Sequence, residues 1–237
     1  MNIKQAAAAL ILITFGYVTV FHYGIVRGLE LTNLLFYMDV WPTVIAAAGF
    51  SAAYLIATSF KLNVKGKVIT VTGLMFSAVL ITYWHIPVNS AFGFGVCPAD
   101  LNDPFLYQLK RLSYFVVGVI LYFSIRDVSK PWREALAIAF GKVMGWYGFY
   151  LTLVQTPLYV SPPVIFSVQL HHEAGFAMLV SMIALDFAAV VSLVNHHFKG
   201  KQTGPYPLIT EKNLNTRYFR SHGWRRIILL CCFRSRC

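Results

Sequence analysis

Six apolar runs alternate with short polar connections along this chain: residues 5–26, 35–59, 68–86, 105–125, 135–156 and 174–195. A hydrocarbon core about 30 Å thick takes about 20 residues of helix to cross. Inside lipid the backbone must bond to itself, which leaves helix as the open-ended solution. The pattern therefore predicts an all-α, polytopic membrane protein, a six-transmembrane-helix bundle. The bundle occupies residues 1–198. Residues 199–237 form a basic tail, with a polar, turn-rich stretch at 200–216 and a basic, apolar one at 218–236 suited to the membrane surface. With 57% hydrophobic residues in 237, no stretch outside the runs has the size of a soluble domain. The first run lacks a short apolar core followed by a small-residue cleavage site, so it reads as a retained helix.

Charge orients the bundle. Lys4, then Lys61, Lys65 and Lys67, then Arg126, Lys130 and Arg133, then the tail place 16 of the 20 Lys and Arg on one side. By the positive-inside rule both termini are cytoplasmic, in a multi-pass protein of the cell membrane. The formal charge of +11 is then mostly topology, and nucleic acid is not an expected partner, whereas membrane lipid is. The opposite side holds Arg27, with Lys110 and Arg111 near its edge, and the acids Glu30, Asp39, Asp100, Asp103 and Glu173. Cys97 is alone there. Cys231, Cys232 and Cys237 fall in the cytoplasmic tail, where thiols stay reduced and a Cys-Cys pair beside basic residues is also an acylation pattern.

That orientation gathers the candidate chemistry at one depth. His22 ends the first run, Asp39 opens the second and His85 ends the third. Lys110 and Arg111 sit one turn into the fourth. His171, His172 and Glu173 open the sixth. Polar residues at such depth face the bundle interior or water. Imidazole, carboxylate and thioether together suit copper or haem. His171, Gly175, Met178 and Met182 form one helical stripe, soft enough for copper(I) and equally a packing face. Lys110 and Arg111 are expected to pair with Asp39 or Glu173, or to hold an anionic group such as a lipid phosphate or a haem propionate. His196 and His197 lie about 37 Å along the last helix from His171, too far to share its site. With no inner-side partners for them, a two-haem cytochrome is not expected. Within the apolar runs, Lys142 and Asp186 fall at matching depth on consecutive helices and are expected to form a buried ion pair.

The stretch Trp84-His85-Ile86-Pro87, followed by Asn102-Asp103-Pro104 and then Tyr107 to Gly118, resembles the core of the CtaG family, membrane factors implicated in cytochrome c oxidase assembly and copper supply. It is more similar still to a small archaeal family of uncharacterised membrane proteins related to that group. The segment His171 to Met178 is similar to the family's last-helix motif. The likeness covers roughly residues 35–195 and implies the fold and a respiratory-membrane setting. The family pattern has a His pair where this chain has Tyr37 and Trp41, and two further His where it has Tyr107 and Arg111, while His85 is retained. Aromatic rings and a guanidinium do not replace neutral imidazole as copper ligands.

Three functions are thus weighed. The first is a non-catalytic accessory or assembly protein of a respiratory or energy-transducing complex, with a metal- or haem-related pocket on the outer face built from His85, His171, His172, Glu173, Asp39, Arg111 and Met178. The second is a small binding or transport protein that uses this pocket and the Lys142–Asp186 pair. The third is an intramembrane enzyme, which the absence of an HExxH motif and of paired acids disfavours.

Overall fold

The computed structural model describes residues 3–62, 66–87 and 95–202, and the basic tail beyond 202 lies outside the described residues, as do Cys231, Cys232 and Cys237. Among the described residues six helices are long and apolar enough to cross a membrane. In chain order the elements are α1 (Ile3–Phe21), α2 (Tyr23–Thr32), a π-turn (Phe36–Val40) running into α3 (Trp41–Ser59), α4 (Lys67–His85), a short 3-10 turn (Ala99–Leu101), α5 (Pro104–Ile125), α6 (Lys130–Leu153), a two-stranded antiparallel ribbon of β1 (Val160–Ser161) and β2 (Val164–Ile165), and α7 (Val168–Gln202).

Three boundaries differ from the hydropathy pattern. The first helix ends at Phe21 instead of Val26, and His22 separates it from the short α2. The apolar run continues through the break, so hydropathy does not reveal it. The fifth spanning helix starts at Lys130, five residues early, because Pro131 fits the first turn, where no backbone N–H partner is lost. The last helix starts at Val168 and runs to Gln202, so His171, His172 and Glu173 lie inside its first turns and not ahead of it.

Local signals set the starts. Asn33 ends α2, and its side-chain oxygen accepts from Phe36 N–H at 2.9 Å, capping the next helix. Asp103 accepts from Phe105 and Leu106 N–H at 2.8 and 3.2 Å, with Pro104 behind it. Such a cap contributes about 1 kcal/mol.

α3 packs against α1 and α5, and α5 also packs against α4. In apolar surroundings helices associate through close backbone approach, which small residues permit. A Cβ on Gly49 would strike the Phe115 carbonyl, and one on Gly118 would strike that of Ala46. α6 and α7 meet along Gly141, Gly145 and Gly148. A Cβ on Gly148 would lie 2.8 Å from the Gly175 carbonyl, and the Gly145 position is filled by Met182. The Met stripe is therefore packing: Met178 is buried in the largest core cluster with Leu151 and Ala174. That cluster also takes in Tyr37, Cys97, Tyr107, Tyr159 and Phe166, so the largest buried cluster among the described residues lies at the end that carries the β-ribbon.

Candidate functional site

At the ribbon end, the connections fold inward and bring acids to the basic residues of α5. Asp100 is fully buried, and its carboxylate lies 3.3 Å from Lys110 Nζ. The Tyr37 hydroxyl donates to the same carboxylate, and the Lys110 ammonium sits 3.5 Å above the centre of the Tyr37 ring. Cys97 Sγ lies 3.5 Å from the Tyr37 hydroxyl. Burial pushes the Cys97 thiol up to about 12, with Asp100 adding to the rise and Lys110 opposing it. One cation, one anion, a phenol and a thiol thus close on one another away from solvent.

A parallel arrangement lies on the next face of α5. Glu30, at the end of α2, accepts from the Tyr107 hydroxyl and lies 3.6 Å from Arg111 Nη2. Two guanidinium groups lie against the Tyr107 ring, Arg27 at 4.2 Å and Arg111 at 4.3 Å from its centre. Arg27 in turn donates to the Leu101 carbonyl, which ties α2 to the 3-10 turn. Burial raises the Glu30 carboxyl above its ordinary value, although the Tyr107 bond and the Arg111, Lys110 and Arg27 charges pull it down.

The expected partners are therefore corrected. Lys110 pairs with Asp100, and Arg111 with Glu30, rather than with Asp39 or Glu173. Glu173 instead accepts from the Gln169 side chain at 2.8 Å, one turn back on its own helix. Two of the positions at which this chain carries an aromatic residue where the resembling family has His, Tyr37 and Tyr107, are the donors to the two acids.

The histidines are engaged singly. His85 Nδ1 lies 2.7 Å from the Ile81 carbonyl and Nε2 lies 3.1 Å from that of Met38. A neutral ring donates to one of these, and a charged ring to both. Met38 lies in the π-turn, where the change of helical register alters the pairing of the carbonyls. His171 Nδ1–H donates to the Ser167 carbonyl at 2.7 Å, and its Nε2 accepts from the backbone N–H groups of Leu158 and Tyr159 at 3.2 and 3.3 Å. His172 Nε2–H donates to the Val154 carbonyl at 2.8 Å. Tyr159 joins the two sides: its hydroxyl donates to the His85 carbonyl at 3.1 Å, and its ring stacks on His171 at 5.4 Å.

His171 has no lone pair left for copper. Its Nε2 already accepts two N–H bonds, and Met178 is enclosed by packing. Among the described residues no group of three or more His, Cys, Asp or Glu side chains is placed to hold a metal ion. Asp39 is only partly buried as a residue, yet its Oδ2 is shielded and has no hydrogen-bond partner. The Tyr147 hydroxyl, whose ring lies 6.4 Å from His85, is likewise shielded and unpartnered. At the other end of the bundle the Lys142 ammonium bonds the Asp186 carboxylate, but the Lys142 side chain is 53% exposed on the helix flank, not enclosed.

Sequence reading did not find Glu30 or Asp100 as partners. Glu30 ends the short α2 and Asp100 sits in the 3-10 turn; the partners of Glu30 are 77 and 81 residues away, and those of Asp100 are 10 and 63. The available signal was charge: two acids beside the unexpected basic residues on the side that should carry few. Compared with protein-family models, curated proteins and solved structures, the chain gives no match in any of the three.

Proposed function

We propose that the chain is a multi-pass protein of the cell membrane, with both termini cytoplasmic, that serves as a non-catalytic accessory or assembly component of a respiratory or other energy-transducing complex. The observation that carries this reading is the interlocking of the ribbon end. Its acids pair with its cations and its tyrosines, and its imidazoles bond backbone atoms. Such an arrangement fixes a surface. The skew of Lys and Arg supports the orientation, and the resemblance around His85 supports the respiratory setting.

The test is gentle purification of the full chain from its native membrane, with chemical cross-linking, identification of co-purifying subunits, metal analysis and a haem spectrum. Stoichiometric recovery with subunits of an electron-transfer complex is expected. A free, monodisperse chain that cross-links to nothing sinks the reading. Reporter fusions after Asn63 and Ser129 should read cytoplasmic, and one after Asp100 external.

A small binding or transport protein is the second reading. It is favoured by Asp39, whose shielded Oδ2 lacks a partner in a π-turn, a feature that often marks functional positions in helices. Ion flux into proteoliposomes, abolished by Asp39→Asn, would select it over the first.

A further inference from the structure

Between α1, α3 and α5 lies a cavity of about 220 Å³ whose walls include Arg111, Trp41, Thr19 and Gln108 beside Phe15 and Phe115. Among the described residues eleven shielded side-chain polar atoms have no hydrogen-bond partner. Four of them belong to these walls: Arg111 Nε and Nη2, Trp41 Nε1 and Thr19 Oγ1. Guanidinium and indole nitrogens only donate, and the Thr19 hydroxyl can donate as well. Buried donors left unmade are costly, so a surplus of them in one wall calls for an acceptor.

Charge points the same way. The bonds and ring contacts of the ribbon end join three cations, Arg27, Lys110 and Arg111, to only two acids, Glu30 and Asp100. Asp100 is taken by Lys110. Glu30 is shared between Arg111, at a distance longer than a hydrogen bond, and Tyr107. Arg27 Nη1 is also unpartnered. Within this bonded network the cations outnumber the acids by one, and the guanidinium on the cavity side is underused.

Shape completes the case. Phe15 and Trp41 also wall a second, larger recess of about 580 Å³, lined mainly by apolar side chains of α1 and α2 and by Phe36 and Val44, with Thr14 and His22 as its polar members. A donor-rich cavity too small for more than a headgroup thus adjoins an apolar groove. Arg111 is seven residues into α5, about 10 Å from the helix start. Tyr23, Tyr37, Trp41 and Tyr107 surround this level, as aromatic residues do at the membrane interface. We propose that the cavity binds the anionic oxygen-bearing headgroup of a membrane amphiphile, a phosphate or a carboxylate, with Arg111 as its charged anchor and the adjoining groove holding its tail. Planar guanidinium suits either oxyanion through two parallel bonds.

The test uses the full chain in mild detergent, stripped of native lipid and titrated with phosphatidylglycerol, phosphatidylcholine, oleate or inorganic phosphate, with bound molecules counted by native mass spectrometry. One equivalent of phosphatidylglycerol or of oleate should bind at least about tenfold more tightly than phosphatidylcholine. The anion that binds better identifies the headgroup class. Arg111→Gln should abolish the preference. Because that change also frees Glu30, Thr19→Val and Trp41→Phe serve as variants that keep shape. Each should melt within a few degrees of the parent and lose roughly threefold or more of the preference. Equal binding of charged and zwitterionic lipid overturns the proposal, as do shape-keeping variants with undiminished preference. So does inorganic phosphate that binds as tightly as the lipid, which would make the site one for a free anion.

Discussion

Two ion pairs in this bundle are chemically alike and built in opposite ways. Asp100 and Lys110 have side chains 0% and 7% exposed, with a phenol, a thiol and an aromatic face closing the shell around them. Lys142 and Asp186 have side chains 53% and 20% exposed. The first pair is part of the core. The second is a clasp on the flank of α6 and α7, beside Gly141, with Ser192 donating to Glu134 at 2.6 Å as another polar link between the same helices. The contrast teaches that depth along a helix, which sequence gives, is separate from enclosure, which only the fold of the connections gives.

The comparison is broken most forcefully at the enclosed pair. Asp100→Ala leaves a buried ammonium without its anion, a change that costs about 3–5 kcal/mol. A large fall in the thermal midpoint in detergent is expected, with much of it recovered when Lys110→Met and Asp100→Leu are combined. A single variant that melts like the parent would show that the enclosure leaks. Lys142→Met strands Asp186 in the apolar span, where insertion scales put an acid near the helix centre at about 2.5–3.5 kcal/mol. On the flank, local bilayer thinning and water defects can reach the stranded carboxylate, so the measured loss should be smaller than for Asp100→Ala. The reverse order would remove the distinction drawn above.

Glu30 sharpens the contrast through pH. Its carboxyl is raised in the folded protein, so above its unfolded value, about 4.3, the folded state holds more proton than the unfolded one. Stability then falls as pH climbs from there through the folded value. Melting curves from pH 4 to pH 7 should show this slope in the parent and a shallower one in Glu30→Gln, and parallel curves would count against it. The smallest effect concerns Cys97. With Cys231, Cys232 and Cys237 changed to Ser, maleimide at pH 8 should leave the folded protein unlabelled and label it fully in denaturant, because the thiol is fully buried and titrates at about 12. Rapid labelling without denaturant would place the thiol outside the sealed layer.

How much of this the sequence discloses follows from which forces are local. The six spanning helices are legible because each must fill the membrane with apolar residues. Their contacts are partly legible, since Gly141, Gly145 and Gly148 recur at helical spacing and meet Met182 and Gly175. The break at His22 is not legible, for no proline stands there and apolar residues continue past it. The candidate residues lie near one set of helix ends, but Lys110 and Arg111 pair with Asp100 and Glu30, which the pattern did not suggest. Tyr37 and Tyr107 read as lost imidazoles until the fold showed what they donate to. Asn102 is a further instance: its amide donates to the Ser161 carbonyl at 3.0 Å and that of Pro162 at 3.1 Å, joining two connections that no periodicity links.

The π-turn at Phe36–Val40 bears on how this chain can change over generations. A π-turn holds one residue more than the α-helical turn it replaces. Deleting any one of the five would let the helix close up without a gap, at little local cost. The helical side chains from Leu34 to the turn would then rotate by about 100° relative to Gly49 and its seat on α5. Point substitution cannot make that move. A single-codon loss would, in one step, rotate the helical segment after Asn33 out of register with Tyr107, Arg111 and the cavity beside them.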